Sequence, residues 1–162
     1  MVSVTLDQVR ARSGAHGYPV GVLEGCETAL VLFAAGFHGA NDGIHIADAG
    51  IVATCVDIQS DRLHEMEAAY PSSWEFVVGD VFDYAAAADG RWDVVSVDCP
   101  TGLFGRCAET IDVWCSLARR AVILGTGHDT GLEVPEGWTV TGRVHRSDFS
   151  PGGVFWAVLE LA

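Results

Sequence analysis

Apolar runs of strand length alternate with segments of helical spacing along most of the chain, and this pattern predicts repeated β-α units. The first run, residues 28–34, is apolar at nearly every position, which is typical of a parallel strand buried on both faces. The same criteria predict further strands at 51–56, 74–78, 92–97 and 121–124. Amphipathic segments after the first four strands predict helices at 40–49, 61–70, 82–88 and 106–120.

Residues that favour helix ends support these boundaries. Gly50 is placed to end the first helix, because glycine readily adopts the left-handed backbone that closes many helices. Ser60 is placed to cap the second helix through its hydroxyl group. Arg119 and Arg120 are predicted to lie in the last turn of helix 106–120, where positive charge interacts favourably with the helix dipole.

The two ends of the chain depart from this repeat. A T-x-x-Q capping box predicts a short helix over 5–13, and the glycine-rich residues up to 27 form a lead-in to the first strand. Near the other end, two longer alternating runs, 138–146 and 154–161, predict an antiparallel hairpin. The whole pattern predicts a single α/β domain over residues 1–162. It is a three-layer sandwich around a doubly wound, mostly parallel sheet with an antiparallel C-terminal hairpin.

Charge limits the partners that the chain can bind. The 162 residues carry 22 acidic and nine basic side chains, which gives a formal net charge of −13. A field of that sign repels a phosphate backbone, so autonomous nucleic-acid binding is not expected. No apolar run reaches the length of a membrane span and no signal peptide opens the sequence, so a cytoplasmic protein is expected. A protein partner and a homo-oligomer both stay open.

Cysteine usage and composition add two further expectations. The five cysteines form no C-x-x-C pair, and their odd number favours free thiols in a reducing compartment. No set of His, Cys, Asp and Glu residues has the spacing of metal ligands, so no metal site is predicted. All nine basic residues are arginine, which together with many Ala, Gly and Val residues is typical of a GC-rich coding sequence, such as an actinobacterial or phage gene.

The stretch from Thr28 to Asp57 carries the first functional signal. It joins an apolar strand, a glycine-rich turn, a short helix and a second apolar strand that ends in an acid. In a parallel β-α-β unit, such a turn offers backbone N–H groups and a helix N-terminus to a ligand, and the acid can accept hydrogen bonds from a ribose. The stretch therefore predicts a nucleotide-binding edge.

The order of elements, the terminal hairpin and the acids after the second, third and fourth strands resemble the class I S-adenosylmethionine-dependent methyltransferases. The resemblance covers roughly residues 28–161. It implies a seven-stranded, doubly wound sheet whose last strand is antiparallel. It also implies S-adenosylmethionine as the cofactor and transfer of its methyl group to an unidentified acceptor.

The resemblance implies a set of cofactor contacts in the turn after the first strand. Ala35, Gly36 and Gly39 match the position of the family's glycine-rich cofactor loop. The family usually carries an acid at the end of this strand, and here the strand ends in Phe-Ala-Ala. Asn41 or Asp42, at the start of the following helix, is a candidate substitute for that acid.

The resemblance also implies contacts for the nucleoside part of the cofactor. Asp57 matches the acid that accepts hydrogen bonds from the ribose hydroxyls, and Ile58 follows it. Asp80 matches the acid that faces the adenine amino group, although aspartate at this position also suits a helix N-cap. Val81 or Phe82 is expected to pack on the adenine ring.

Candidates for the chemistry follow the fourth and fifth strands. Asp98 lies where the resemblance places residues that face the methyl group and the acceptor. It is therefore a candidate for cofactor contact and for taking a proton from the acceptor. His128, followed by Asp129, is a second catalytic candidate, because imidazole is a base near neutral pH. His38 is open to either a ligand contact or a solvated position. Cys99 is expected to be a packed, inert thiol.

Two other functions remain open from the sequence. The missing acid after the first strand is compatible with a catalytically inactive protein of the same fold that acts as a nucleotide-binding or protein-interaction module. A nicotinamide-dependent oxidoreductase is less favoured, because the chain lacks a complete G-x-G-x-x-G motif and ends in the hairpin.

Overall fold

A computed structural model describes residue 7 and residues 18–35, 41–126, 132–146 and 154–162. It contains seven strands: β1 Thr28–Leu32, β2 Val52–Asp57, β3 Glu75–Val78, β4 Trp92–Asp98, β5 Ala118–Thr126, β6 Trp138–Arg146 and β7 Val154–Leu161. The described helices are α1 Asn41–Asp48, α2 Ser60–Ala69, α3 Val81–Ala87, α4 Phe104–Glu109 and α5 Ile111–Leu117. Two 3₁₀ turns span Val20–Leu23 and Thr101–Leu103.

The strands form one seven-stranded sheet in the order β3-β2-β1-β4-β5-β7-β6. The contacts β3-β2, β2-β1, β1-β4 and β4-β5 are parallel, whereas β7 is antiparallel to both β5 and β6. The doubly wound sheet and the antiparallel hairpin predicted from the sequence are therefore confirmed. The chain builds outward from β1 in one direction and returns to place β4 on its other side, so the strand order reverses between β1 and β4.

Each face of the sheet carries its own hydrophobic core, because successive side chains of a strand point to opposite faces. Along β1, Ala29 and Val31 face the layer that contains α1 and α2, and Leu30 and Leu32 face the layer that contains α3 and α5. None of the helices in the described ranges is long and apolar enough to cross a membrane.

The end of α1 follows the sequence prediction. Gly50 has a φ of +72°, a left-handed backbone that glycine adopts without steric cost. Its N–H donates to Ala47 O at 3.0 Å and the N–H of Ile51 donates to Ile46 O at 3.2 Å, which is the hydrogen-bond pattern of a Schellman C-cap. This cap directs the chain straight into β2.

The predicted cap at Ser60 is wrong. Ser60 is the first residue of α2, and Gln59 occupies the N-cap position without a side-chain hydrogen bond to the helix. The Gln59 N–H instead donates to the carboxylate of Asp57 at 2.8 Å. The turn between β2 and α2 is therefore stabilised by the last residue of β2, Asp57, and not by a side chain at the start of the helix.

The prediction of a single helix over 106–120 is also wrong. The segment contains two short helices, α4 and α5, that meet at Thr110. Side chains donate hydrogen bonds to backbone carbonyl groups near this break. The Thr110 hydroxyl donates to Arg106 O at 2.7 Å, and the Trp114 indole N–H donates to Cys107 O at 2.9 Å.

The two arginines predicted for the last turn of that helix lie in a strand. Arg119 and Arg120 belong to β5, which begins at Ala118 beside Trp92 of β4. The Arg91 guanidinium donates to Ala118 O at 2.7 Å, and the Arg119 guanidinium lies 3.7 Å from the Asp93 carboxylate. These contacts at the amino edge of the sheet favour the extended backbone over a further helical turn.

The predicted N-terminal helix over 5–13 lies outside the described residues except for Asp7, which is helical. The lead-in that follows is attached to the sheet through Tyr18. The Tyr18 hydroxyl forms a hydrogen bond of 2.8 Å with the buried Ser96 hydroxyl of β4. Its ring stacks on His45 of α1 at 4.9 Å and meets Trp156 of β7 edge-on at 5.2 Å. This segment therefore covers the α1 side of the sheet centre.

Gly125 makes the closest glycine contact in the described structure, and we expect Gly125→Ala to destabilise the fold. A Cβ atom there would lie 2.6 Å from the ring of Trp156, which is only 1% exposed. Because the ring is packed on its other sides, overpacking should lower the free energy of unfolding by about 1–3 kcal/mol. Urea unfolding measures this change. Gly142→Ala is a matched control, since its Cβ would lie 3.5 Å from Val158, an ordinary contact. Equal stabilities of the two variants would contradict this packing.

Candidate functional site

The carboxyl ends of β1, β2, β3 and β4 bring four of the predicted site segments to one edge of the sheet. In open α/β sheets, ligands bind outside this edge, at the point where the strand order reverses. That point lies between Phe33, which follows β1, and Asp98, which ends β4. Phe33 has a φ of +57°, an unusual left-handed backbone for a bulky residue. The strand therefore ends at Leu32, two residues before the predicted end at residue 34, and the chain then turns across the edge of the sheet.

Asp57 is the best-defined acid of the edge. Its side chain is 3% exposed at the end of β2. One carboxylate oxygen accepts the N–H of Ala35 at 2.9 Å, and the other accepts the N–H of Gln59 at 2.8 Å. The carboxylate thus joins the chain after β1 to the chain after β2, and each oxygen retains further acceptor capacity.

Apolar side chains lie exposed on both sides of this acid. Ile58, directly after Asp57, is 70% exposed, and Val78 at the end of β3 is 51% exposed. Val78 is the register partner of Asp57 in the β2–β3 ladder. Val78 was not among the sequence candidates. Its place at the end of an edge strand is the signal that identifies it.

Asp80 caps α3, as the alternative interpretation of the sequence proposed. A single carboxylate oxygen accepts the N–H groups of Phe82 and Asp83, at 2.9 and 3.0 Å. The side chain is exposed, and within the described ranges its other oxygen forms no hydrogen bond. Val81, the next residue, is only 3% exposed because it packs into the core beneath α3.

Asp98 ends β4 opposite Gly125 of β5 and is partly buried. Burial raises the pKa of its carboxyl group from 3.8 to about 6. A carboxyl group with a pKa near neutrality can exchange a proton under ordinary conditions, and such shifts are concentrated at functional sites. The sequence indicated the position of Asp98 but not this property.

Cys99 has the character expected of a packed thiol. It is buried beside the thiol of Cys107, and its backbone N–H donates to Gly125 O at 3.1 Å. Burial and the neighbouring thiol raise the pKa of Cys99, so the reactive thiolate is disfavoured. None of the five cysteines, all of which lie in the described ranges, forms a disulfide.

An aromatic cluster at this edge was missed by sequence reasoning. Phe33 meets Phe82 edge-on at 5.8 Å, and Phe82 lies 5.8 Å from the buried ring of Trp114. The guanidinium carbon of Arg106 lies 3.8 Å from the centre of the Phe82 ring, which is a cation–π contact. Phe33, a bulky aromatic residue directly after β1, is the sequence signal that points to this cluster.

The remaining candidates have no described surroundings. Gly36, Gly39 and His38 in the turn, and His128 with Asp129 after β5, lie outside the described residues. The same holds for the side chains of Asn41 and Asp42 at the start of α1. Ala35, the first predicted loop residue, is buried and donates its N–H to Asp57. In the part of the chain that the structure describes, no three His, Cys, Asp or Glu side chains are grouped to hold a metal ion.

Comparison with known proteins gives no match to the sequence, either among protein-family models or among curated proteins. The fold, in contrast, has many structural matches. Crystal structures similar to the chain include TrmN from Thermus thermophilus, with 16% identity and a TM-score of 0.65. That match covers 99% of this chain and 50% of TrmN, so the chain spans half the length of that protein.

Two further crystal structures match over most of both chains. One is a proposed methylase from Haemophilus influenzae, with 16% identity, a TM-score of 0.66 and coverage of 98% of this chain and 91% of the other. The second is magnesium protoporphyrin IX methyltransferase from Synechocystis with bound S-adenosylmethionine, with 18% identity and a TM-score of 0.61. That match covers 97% of this chain and 79% of the other. The chain therefore has the fold of the class I S-adenosylmethionine-dependent methyltransferases.

Proposed function

We propose that this protein is an S-adenosylmethionine-dependent methyltransferase whose cofactor lies along the carboxyl edge of β1, β2, β3 and β4. The observation that carries the proposal is the anchored carboxylate of Asp57 between two exposed apolar side chains, Ile58 and Val78. A carboxylate that is fixed by backbone donors and retains acceptor capacity suits the two hydroxyls of a ribose. The Synechocystis neighbour, which was crystallised with S-adenosylmethionine, supports this choice of nucleotide.

Different residues around Asp57 are placed to contact the adenine and the methionine end of such a cofactor. Ile58 and Val78 offer apolar surface for the adenine, and the free oxygen of Asp80 is an acceptor for the adenine amino group. Val81 supports this region from below, because it is buried under α3. Ala35, Gly36 and Gly39 belong to the turn that would pass along the methionine end. Asn41 and Asp42 stay candidates for its ammonium group.

Asp98 is the residue that we propose to act on the acceptor. Bound S-adenosylmethionine would supply an electrophilic methyl group on a sulfonium, so the chain needs mainly to orient a nucleophilic N, O or S atom. With a pKa of about 6, Asp98 is ionised at pH 7 and can hold or take an acceptor proton. His128 is proposed as a second base. Cys99 is not proposed as a nucleophile, because its thiol is buried and its pKa is raised.

Charge narrows the acceptor class. With 22 acidic and nine basic residues, the surface potential disfavours an autonomous nucleic-acid substrate. We therefore propose a small molecule or a protein as the acceptor and a cytoplasmic location for the reaction. A protein partner or a second copy of the chain remains compatible with the site.

Transfer of label from methyl-labelled S-adenosylmethionine to separate small-molecule and protein fractions of a cell extract tests the activity. We expect label in a fraction incubated with the wild-type protein and a strongly reduced amount with Asp98→Asn. If the nucleotide binds but neither fraction is labelled, the protein is instead an inactive module of this fold. The absence of an acid from the strand end, residues 33–35, is the feature that favours this second function.

A further inference from the structure

The guanidinium of Arg106 lies over an aromatic ring, and the residue is exposed to solvent. Its central carbon is 3.8 Å from the centre of the Phe82 ring. Across the described ranges, no carboxylate forms an ion pair with Arg106, although acidic residues outnumber arginines by 22 to nine. Its five N–H donors are therefore available to a ligand.

Arg106 lies at the carboxyl edge of the sheet, next to the proposed methyl-transfer site. It precedes Cys107, which lies in the same buried cluster as Cys99, the residue after Asp98. The ring that supports it, Phe82, meets Phe33 of the β1 turn at 5.8 Å. Through Phe82 and Cys107, Arg106 is thus close to the segments that follow β1, β3 and β4.

Other described arginines have contacts at the opposite edge of the sheet. Arg91 donates to a backbone carbonyl, Arg119 lies beside the carboxylate of Asp93, and Arg120 donates to the thiol of Cys26. All three lie where β4 and β5 begin. Arg106 therefore places a positive charge with unused donors at the functional edge of a chain that is otherwise strongly acidic.

We propose that Arg106 binds a carboxylate or phosphate group of a ligand at this edge. A planar guanidinium matches two oxygens of either group, and the cation–π contact with Phe82 reduces the conformational entropy that is lost on binding. The anion has two possible sources: the methionyl carboxylate of the cofactor, or an anionic group of the acceptor. This inference rests on the proposed function for the identity of the nearby ligand, but the anion site can be tested independently.

Three probes and one variant distinguish these sources. S-Adenosylhomocysteine carries the carboxylate, 5′-methylthioadenosine is the same nucleoside without it, and phenyl phosphate is an anion without the nucleoside. Calorimetry measures the binding of all three probes to the wild-type protein and to each variant, and in the wild-type protein an NMR titration of the Arg106 Nε–H resonance also follows phenyl phosphate. Arg106→Met keeps an apolar stem over Phe82, so it removes the charge while retaining cover for the ring. Arg143→Met, at an exposed position on β6, is the control of equal charge.

Arg106→Met should weaken one anionic probe by about tenfold or more, the effect of losing a charge-assisted hydrogen-bonded pair. Loss confined to S-adenosylhomocysteine identifies the cofactor carboxylate, and loss confined to phenyl phosphate identifies an acceptor anion. Methylthioadenosine binding should not change. Equal behaviour of Arg106→Met and Arg143→Met toward both anions would overturn the proposal, as would a wild-type protein that binds neither anion. If neither nucleoside binds the wild-type protein, the proposed function fails while the phenyl phosphate titration still decides the anion site.

Discussion

Replacement of Asp98 by asparagine should stabilise the fold at neutral pH and suppress methyl transfer. Burial raises the pKa of this carboxyl group from 3.8 to about 6, so the folded state holds the proton more tightly than the unfolded state. Well below pH 3.8 both states are protonated and the full stability is present. As the pH rises from about 4 to about 6, the unfolded state ionises first and the free energy of unfolding falls. Asparagine does not ionise, so the variant avoids this decrease in the free energy of unfolding, which is about 3 kcal/mol above pH 6.

Urea unfolding at pH 4 and at pH 8 measures this difference. The stability advantage of Asp98→Asn over the wild type should be small at the lower pH and large at the higher pH. Asp89→Asn is the control, because Asp89 is an exposed aspartate in the loop before β4. A stability gain that is the same at both pH values, or one that Asp89→Asn reproduces, would contradict the burial of an ionisable Asp98. A gain in stability with a loss of transfer is typical of functional residues that are kept at a cost to the fold.

Replacement of Asp57 by asparagine should weaken both the fold and nucleotide binding. The buried carboxylate accepts two backbone N–H groups, one on each oxygen, at 2.9 and 2.8 Å. Asparagine offers one oxygen and directs an NH₂ group at the other donor, so one buried N–H loses its partner. The expected loss is about 1–3 kcal/mol of unfolding free energy. The affinity for S-adenosylhomocysteine should fall about tenfold or more, because a neutral amide is a weaker acceptor for ribose hydroxyls.

Asp80→Asn provides the matched control for stability. Asparagine caps helices as well as aspartate does, and Asp80 is exposed, so this variant should keep the wild-type unfolding free energy. If Asp57→Asn proves as stable as Asp80→Asn, the carboxylate does not hold the turn after β1. If it loses stability but binds S-adenosylhomocysteine as the wild type does, Asp57 is a structural acid and the ribose lies elsewhere.

The architecture was largely predictable because it depends on local patterns. The hairpin strands Trp138–Arg146 and Val154–Leu161 have the bounds that their alternation predicted. Gly50 ends α1 as expected, since its left-handed backbone is a local property. The order of parallel strands follows from the same β-α repeat, which allows few right-handed arrangements.

Features that depend on distant contacts were not predictable in the same way. The helix predicted over 106–120 breaks at Thr110, where the Trp114 indole bonds to Cys107 O and β5 already begins at Ala118. Its helical spacing gave no sign of this competition. The predicted cap at Ser60 failed for a related reason, because Asp57 of the preceding strand holds the turn.

The same distinction between local patterns and distant contacts applies to the candidate site. The positions of Asp57, Asp80 and Asp98 at strand ends were visible in the sequence, because acids after apolar runs are conspicuous. The burial that raises the pKa of Asp98 is set by the packing of neighbouring elements. The stack of Arg106 on Phe82 joins residues from two different β-α units and has no sequence signature.

The most direct test of the account is titration calorimetry of the wild-type protein with S-adenosylhomocysteine, with NADH as the contrasting nucleotide. The central claim is that the carboxyl edge around Asp57 binds S-adenosylmethionine through the nucleoside and amino-acid groups that S-adenosylhomocysteine shares with it. It predicts saturable binding of S-adenosylhomocysteine at a single site and no binding of NADH. Absence of heat with S-adenosylhomocysteine at millimolar concentration, or tighter binding of NADH, would contradict it.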